Sequence, residues 1–205
     1  MSELVETLET DVLAAAYAAI GELWCNSLEV DQEESRAEAQ ALLVPLALVN
    51  EEGALALSRF LEQAPLSEED YIDLFELEPK CPLYFGSHVF EEPKTCASAS
   101  VSERNDYMIE LLGVYRHFGR APNGRELPDY VPMLIDFLSM TVDSREDPVR
   151  VKLLRDYVLP FIPPMRKRLT SLEVPYLHLL DALEKIIHHD LKHTESAKWT
   201  PTSTS

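Results

Sequence analysis

The chain has 205 residues, 46% of them hydrophobic and 26% charged, and a net charge of −18. That is a globular composition with enough apolar residues for one large core without disulfide or metal staples. The charge is lopsided: residues 1–80 carry 19 acidic and 3 basic side chains, residues 145–193 carry 7 and 9. So acidic a front half argues against nucleic acid as a partner and, if it does more than keep the chain in solution, favours encounter with a basic one.

The first residues, MSELVETLETD, are acidic, the reverse of a signal peptide's basic start. The apolar runs VLAAAYAAI and ALLVPLALV are too short to span a bilayer. Cys25, Cys81 and Cys96 show no C-x-x-C or zinc spacing, and an odd count suits reduced thiols in the cytoplasm.

Leu4, Leu8, Val12 and Tyr17 repeat at the helical period and predict a first helix up to Trp24. The acidic run Asp31–Glu34 suits the N-terminus of a second helix, with Pro45 as a kink or break. Asn50 is placed to cap a third. Ser67 with Asp70 resembles a capping box opening a short helix over Tyr71, Leu74 and Phe75. EPKCPLYFGSHVFEEPKTCASAS then reads as a long structured loop, with a mobile TCASAS end. Ser102 caps a helix through Tyr115 that stops at Gly119, and APNGRE is a turn. ELPDYVPMLIDFL starts another helix, with two prolines four residues apart at its entrance. A further helix is expected from about Asp147 to Phe161, ended by Pro163-Pro164, and a last one from Pro175 to about Lys192. No alternating strand pattern and no repeat occur. The expectation is an all-α, single-domain bundle of about eight helices over residues 1–193, with a flexible polar tail at 194–205.

Nucleotide cradles of the form G-x-x-x-x-G-K-[ST] or G-x-G-x-x-G are absent, as is H-E-x-x-H. His188, His189 and His193 with Asp190 form the best metal candidate, and the stronger reading is a helix C-terminus complemented by imidazoles. Cys81 lacks an identifiable base and reads as buried rather than nucleophilic. Tyr71, Phe75, Tyr84, Phe85 and Phe90 could line a groove but are expected in the core.

Several segments, in order, resemble the TorD/DmsD/NarJ family of molybdoenzyme maturation chaperones. Tyr71-x-x-Leu74-Phe75 looks like the family's aromatic helix, and CPLYFGSHVF like its loop. ELLGVYRHFG looks like its "Y…G" helix. ELPDYVPMLIDFLSM resembles its signature, and PYLHLLDALEKIIHHDL its C-terminal helix. The likeness covers about residues 65–192 and leans towards the nitrate-reductase-type and type II DMSO-reductase-type members. One departure is clear: the family's His after Pro-Asp is Tyr130 here, so no role that needs imidazole carries over.

The resemblance implies a non-enzymatic cytoplasmic chaperone with no cofactor of its own. It would bind the N-terminal, twin-arginine-like segment of an apo molybdenum oxidoreductase catalytic subunit, and release it after cofactor insertion. It would act as a monomer or homodimer and insert in no membrane. Tyr84, Tyr115, Glu126, Leu127, Pro128, Asp129, Tyr130 and Asp136 are the client-binding residues it implies. With Asp129 as N-cap, Glu126 and Asp129 would face a guanidinium. The competing readings are a helical adaptor or stable subunit without a maturation role, and a metal-dependent helical enzyme.

Overall fold

The computed structural model describes residues 2–90, 102–122 and 124–197, with side chains for 5–90, 102–122 and 124–192. The chain is all-α: among these residues no strand forms, and Tyr84 and Tyr130 make one isolated antiparallel bridge.

Helix α1, Ser2–Leu23, buries Leu13, Tyr17 and Ile20, a stripe at steps of four and three that Trp24 continues just past its end. Helix α2, Gln32–Val49, is capped by Asp31, whose carboxylate accepts from the Glu33 and Glu34 amides. Pro45 does not break it; the helix runs through. The lost hydrogen bond would have ended on Ala41, whose exposed position lets water replace it. Asn50 ends α2 and caps α3, Glu51–Leu61, accepting from the Gly53 amide. In front of α4, Glu68–Phe75, Ser67 accepts from the Asp70 amide and returns its hydroxyl proton to the Asp70 carboxylate. A 3-10 turn covers Phe85–His88. Residues 91–101, which include TCASAS, lie outside the described residues. Helix α5, Glu103–His117, begins on Ser102 as expected, and Gly119 follows its end at φ +67. The APNGRE turn is described except for Asn123, with Gly124 at φ +78.

Helix α6, Val131–Met140, is followed by α7, Pro148–Lys152, capped by Asp147. Here the expected single helix to Phe161 is corrected. A π turn, Leu153–Val158, and a 3-10 turn, Leu159–Phe161, lead into α8, Ile162–Leu172. Pro163 and Pro164 therefore open a helix instead of ending one. The first turn of a helix needs no N–H partner, so proline costs nothing there. Helix α9 spans Tyr176–Ala197, past the boundary expected for the tail, and residues 198–205 lie outside the described residues.

Helix α1 lies at the centre, packed on α2, α6 and α9, with α3 closing against α2 and α9. Leu134, Ile135, Phe137 and Leu138 of α6 and Leu179, Leu183, Ile186 and Ile187 of α9 complete the core. Each such side chain contributes about 1.5–3 kcal/mol by leaving water. A polar strut crosses this core. Arg150 of α7 sits 2.8 Å from Asp190 of α9, and Tyr17 of α1 donates to the same carboxylate at 2.9 Å. Arg150 also donates to the Thr141 hydroxyl and the Leu138 carbonyl at the C-terminal end of α6. None of the described helices is long and apolar enough to cross a membrane.

Candidate functional site

The entrance to α6 explains its prolines. Leu127-Pro128-Asp129-Tyr130 forms a turn closed by the Tyr130 amide on the Leu127 carbonyl, 3.0 Å. Tyr130 is the N-cap residue, so Val131 and Pro132 are the first two helical positions. Pro132 thus stands where its missing N–H is harmless.

This turn is stitched to the loop 43 residues earlier. The Val131 amide donates to the Leu83 carbonyl at 2.9 Å, and the Phe85 amide to the Asp129 carbonyl at 3.2 Å. The two bonds bring Tyr84 opposite Tyr130, with ring centroids 5.4 Å apart. Tyr84 donates its hydroxyl to the Glu126 carboxylate, and Tyr115 donates to the Pro128 carbonyl at 2.8 Å. Burial, then the Glu126 carboxylate, pushes the Tyr84 hydroxyl well above its ordinary range.

Asp129 departs from expectation. It does not cap α6; it lies one residue before the cap and is 0% exposed. Its Oδ2 accepts the Gly86 amide at 2.8 Å, and its Oδ1 has no hydrogen-bond partner among the described residues. Burial raises its pKa, opposed by the Gly86 amide and by Arg104. Arg104, in the first turn of α5, donates to Ser87 on the same 3-10 turn. Gly86 has no room for a side chain: a Cβ there would lie 2.8 Å from the Asp129 carboxylate and 3.3 Å from Phe90. So Asp129 holds the 85–88 turn in place and does not offer itself to a guanidinium at the surface.

Tyr84, Tyr115, Glu126, Pro128, Asp129 and Tyr130 therefore form one cluster. Leu127 stands beside it, 47% exposed. Asp136 does not join: its side chain projects from α6 near Glu22 and Arg120, and partial desolvation at its base followed by the Glu22 charge raises its pKa. Sequence reasoning missed Gly86 and Arg104. The small residue inside CPLYFGSHVF was the only signal for the first, and nothing local pointed to the second.

The remaining candidates separate cleanly. Tyr71 packs on Phe75, which meets Trp24 and Tyr176, and Phe85 and Phe90 pack with Phe161, so these are core aromatics. His189 lies 3.2 Å from Glu9, and the described residues hold no group of three metal-binding side chains; the His193 side chain is outside them. Cys25 and Cys81 are free; burial pushes both thiols up to about 12, and Cys81 is fully buried, as expected for a packing residue.

No family model matches the chain. Curated relatives do. It is 29% identical over 140 residues to the probable nitrate reductase molybdenum cofactor assembly chaperone NarW of Escherichia coli K12, covering 67% of this chain and 55% of that protein. It is 30% identical over 140 residues to the nitrate reductase molybdenum cofactor assembly chaperone NarJ of the same strain, covering 66% and 54%. The chain is a homologue of the NarJ-type chaperones. The match spans about half the length of each NarJ-type relative.

Proposed function

We infer that this chain is a non-catalytic assembly chaperone for a molybdenum oxidoreductase, acting in the cytoplasm on the apo catalytic subunit. The observation that carries the reading is its homology to chaperones of nitrate reductase molybdenum cofactor assembly. The site supports it in kind: a hydrogen-bonded cluster of tyrosines and carboxylates at a helix entrance. Free Cys25 and Cys81 suit a reducing compartment.

In this reading the N-terminal segment of the client, a twin-arginine-like leader where it has one, meets the rim made by Tyr84, Glu126, Leu127 and Tyr130. Glu126, which accepts the Tyr84 hydroxyl through one oxygen, is in this reading the rim carboxylate that takes a guanidinium, and Asp129 supports the turn from behind. The chain covers the client segment until the cofactor is inserted and then leaves.

The test is to produce a nitrate-reductase-type catalytic subunit with and without this chain and measure its molybdenum content. We expect a severalfold fall without the chain. Equal content, with no co-purification of the two proteins, would leave a helical adaptor or subunit as the answer. Glu126→Gln should weaken binding of the client's N-terminal peptide at least tenfold in calorimetry, with an unchanged melting temperature.

A further inference from the structure

A small cavity lies where the first turns of α2, the end of α3 and the start of α9 meet, and it shares no lining residue with the Tyr84–Glu126 cluster. Its volume is about 20 Å³, room for one or two water-sized groups. Phe60, Leu66 and Pro175 give it apolar walls, and Arg36 and Tyr176 bring hydrogen-bond donors to it.

Arg36 is a cation without a counter-ion. One of its terminal nitrogens donates to the Leu61 carbonyl at 2.7 Å and to the Gln63 carbonyl at 2.6 Å, and the guanidinium lies 5.4 Å over the Phe60 ring. Both bonds go to neutral acceptors, and they use two of the five N–H groups that a guanidinium carries. Residues 1–80 hold 19 acidic side chains, yet among the described residues none forms an ion pair with Arg36. Partial withdrawal from water pushes its pKa down, as it does for a charge that nothing nearby compensates.

Tyr176 is the first residue of α9 and is 5% exposed. The rings of Trp24, Phe60 and Phe75 hold it, with centroids 5.0, 5.4 and 4.8 Å away. Its hydroxyl has no hydrogen-bond partner among the described residues, whereas the Tyr71 hydroxyl on the same cavity donates to the Trp24 carbonyl at 2.7 Å. Arg36 and Tyr176 are electrostatic neighbours, each acting on the ionisation of the other. Helix α9 has no acid in its first turn, so the positive end of its dipole adds to the guanidinium charge at this place.

We propose that this cavity is a binding site for a halide-sized monovalent anion, held between the Arg36 guanidinium and the Tyr176 hydroxyl. Water satisfies donors but leaves the charge of Arg36 uncompensated; an anion does both. A cation is repelled by Arg36, and sulfate or phosphate exceeds the space. Both donors are fixed before the ion arrives, Arg36 by two carbonyls and Tyr176 by three rings, so little ordering remains to oppose binding. The bound ion would tie α2 and the segment after α3 to the start of α9. The site is independent of the client reading.

The test titrates chloride into the full chain in place of methanesulfonate at constant ionic strength, so that screening does not change. Binding is read from the width of the chloride NMR line and from the melting temperature. Chloride should broaden the line and raise melting to a plateau, and bromide should raise melting in the same way. Tyr176→Phe keeps the ring and removes only the hydroxyl, and Arg36→Gln removes the charge. Each should weaken chloride binding at least tenfold. Should Arg36→Gln fail to fold, Tyr176→Phe decides, because it removes no packing atom. Bromide-soaked crystals should show an anomalous peak between Arg36 and Tyr176. Equal broadening by the wild type and Tyr176→Phe, with the peak elsewhere, would mean an adventitious ion only and overturn the proposal. Neither broadening nor a peak would give the cavity to water and overturn it too. Glu126→Gln should leave chloride binding unchanged, so this result and the client reading stand or fall separately.

Discussion

Asp190 and Asp129 are both shut away from water, at 1% and 0% exposure, yet they are held very differently. Asp190 receives the Arg150 guanidinium and the Tyr17 hydroxyl. Asp129 receives one backbone amide, from Gly86, with Arg104 acting at longer range. The first carboxylate ties four parts of the bundle together: α1, the end of α6, α7 and α9. The second ties a loop to a helix entrance. A buried ion with its counter-ion is part of the frame; a buried carboxylate with a single donor keeps a short turn in register beside a surface cluster.

The contrast breaks most visibly at Arg150. Arg150→Met leaves Asp190 as an uncompensated buried charge and should cost about 3–5 kcal/mol in urea unfolding. Adding Asp190→Leu should recover much of that loss, since an apolar pair of similar size removes the charge as well. A loss below about 1 kcal/mol for the single change would mean that the strut does not carry the bundle.

A smaller effect is expected at the loop. Gly86→Ala forces a methyl into the Asp129 carboxylate and should cost about 1–3 kcal/mol. Gly113→Ala provides the control: a Cβ there meets nothing within 4 Å, on an exposed face of α5. It should stabilise the protein by up to about 1 kcal/mol. Equal effects at the two glycines would remove the tight contact between Gly86 and Asp129 from the account.

The smallest effect sharpens the difference through pH. Asp129 binds its proton more tightly folded than unfolded, because burial raises its pKa. Its contribution is therefore most favourable at acid pH and declines as pH climbs from the unfolded value through the raised folded one. Asp129→Asn lacks this dependence and keeps an oxygen for the Gly86 amide. In urea melts from pH 3 to 7, the wild type should lose ground to the variant as pH rises. A constant gap between the two curves would show that the carboxylate is not strained by its burial.

Much of the fold was legible because helix ends are local. Asp31, Asn50, Ser67, Ser102 and Asp147 cap helices within three residues of themselves, and Gly119 terminates one by its own φ. The failures share a cause of their own. Pro163-Pro164 looks the same in sequence whether it stops a helix or starts one, and the preceding π turn decides which. Asp129 beside a helix start looks like a cap, and only the Gly86 amide, 43 residues away, shows otherwise. His189 meets Glu9 across 180 residues of sequence. The proximity of Tyr84, Tyr115, Glu126, Pro128, Asp129 and Tyr130 was legible in the sequence, whereas what each holds was not, because those contacts join distant segments.

The raised thiols have a consequence for the company this protein is inferred to keep. Burial pushes the Cys25 and Cys81 thiols up to about 12, so both stand as thiols at neutral pH. Metals bind the thiolate, and disulfide exchange begins from it. Disulfide exchange with a neighbouring protein through these two residues is therefore disfavoured. The buried Cys81 sulfur serves as a small apolar group, and the Cys25 thiol donates to the Gly21 carbonyl near the end of α1 at 3.5 Å.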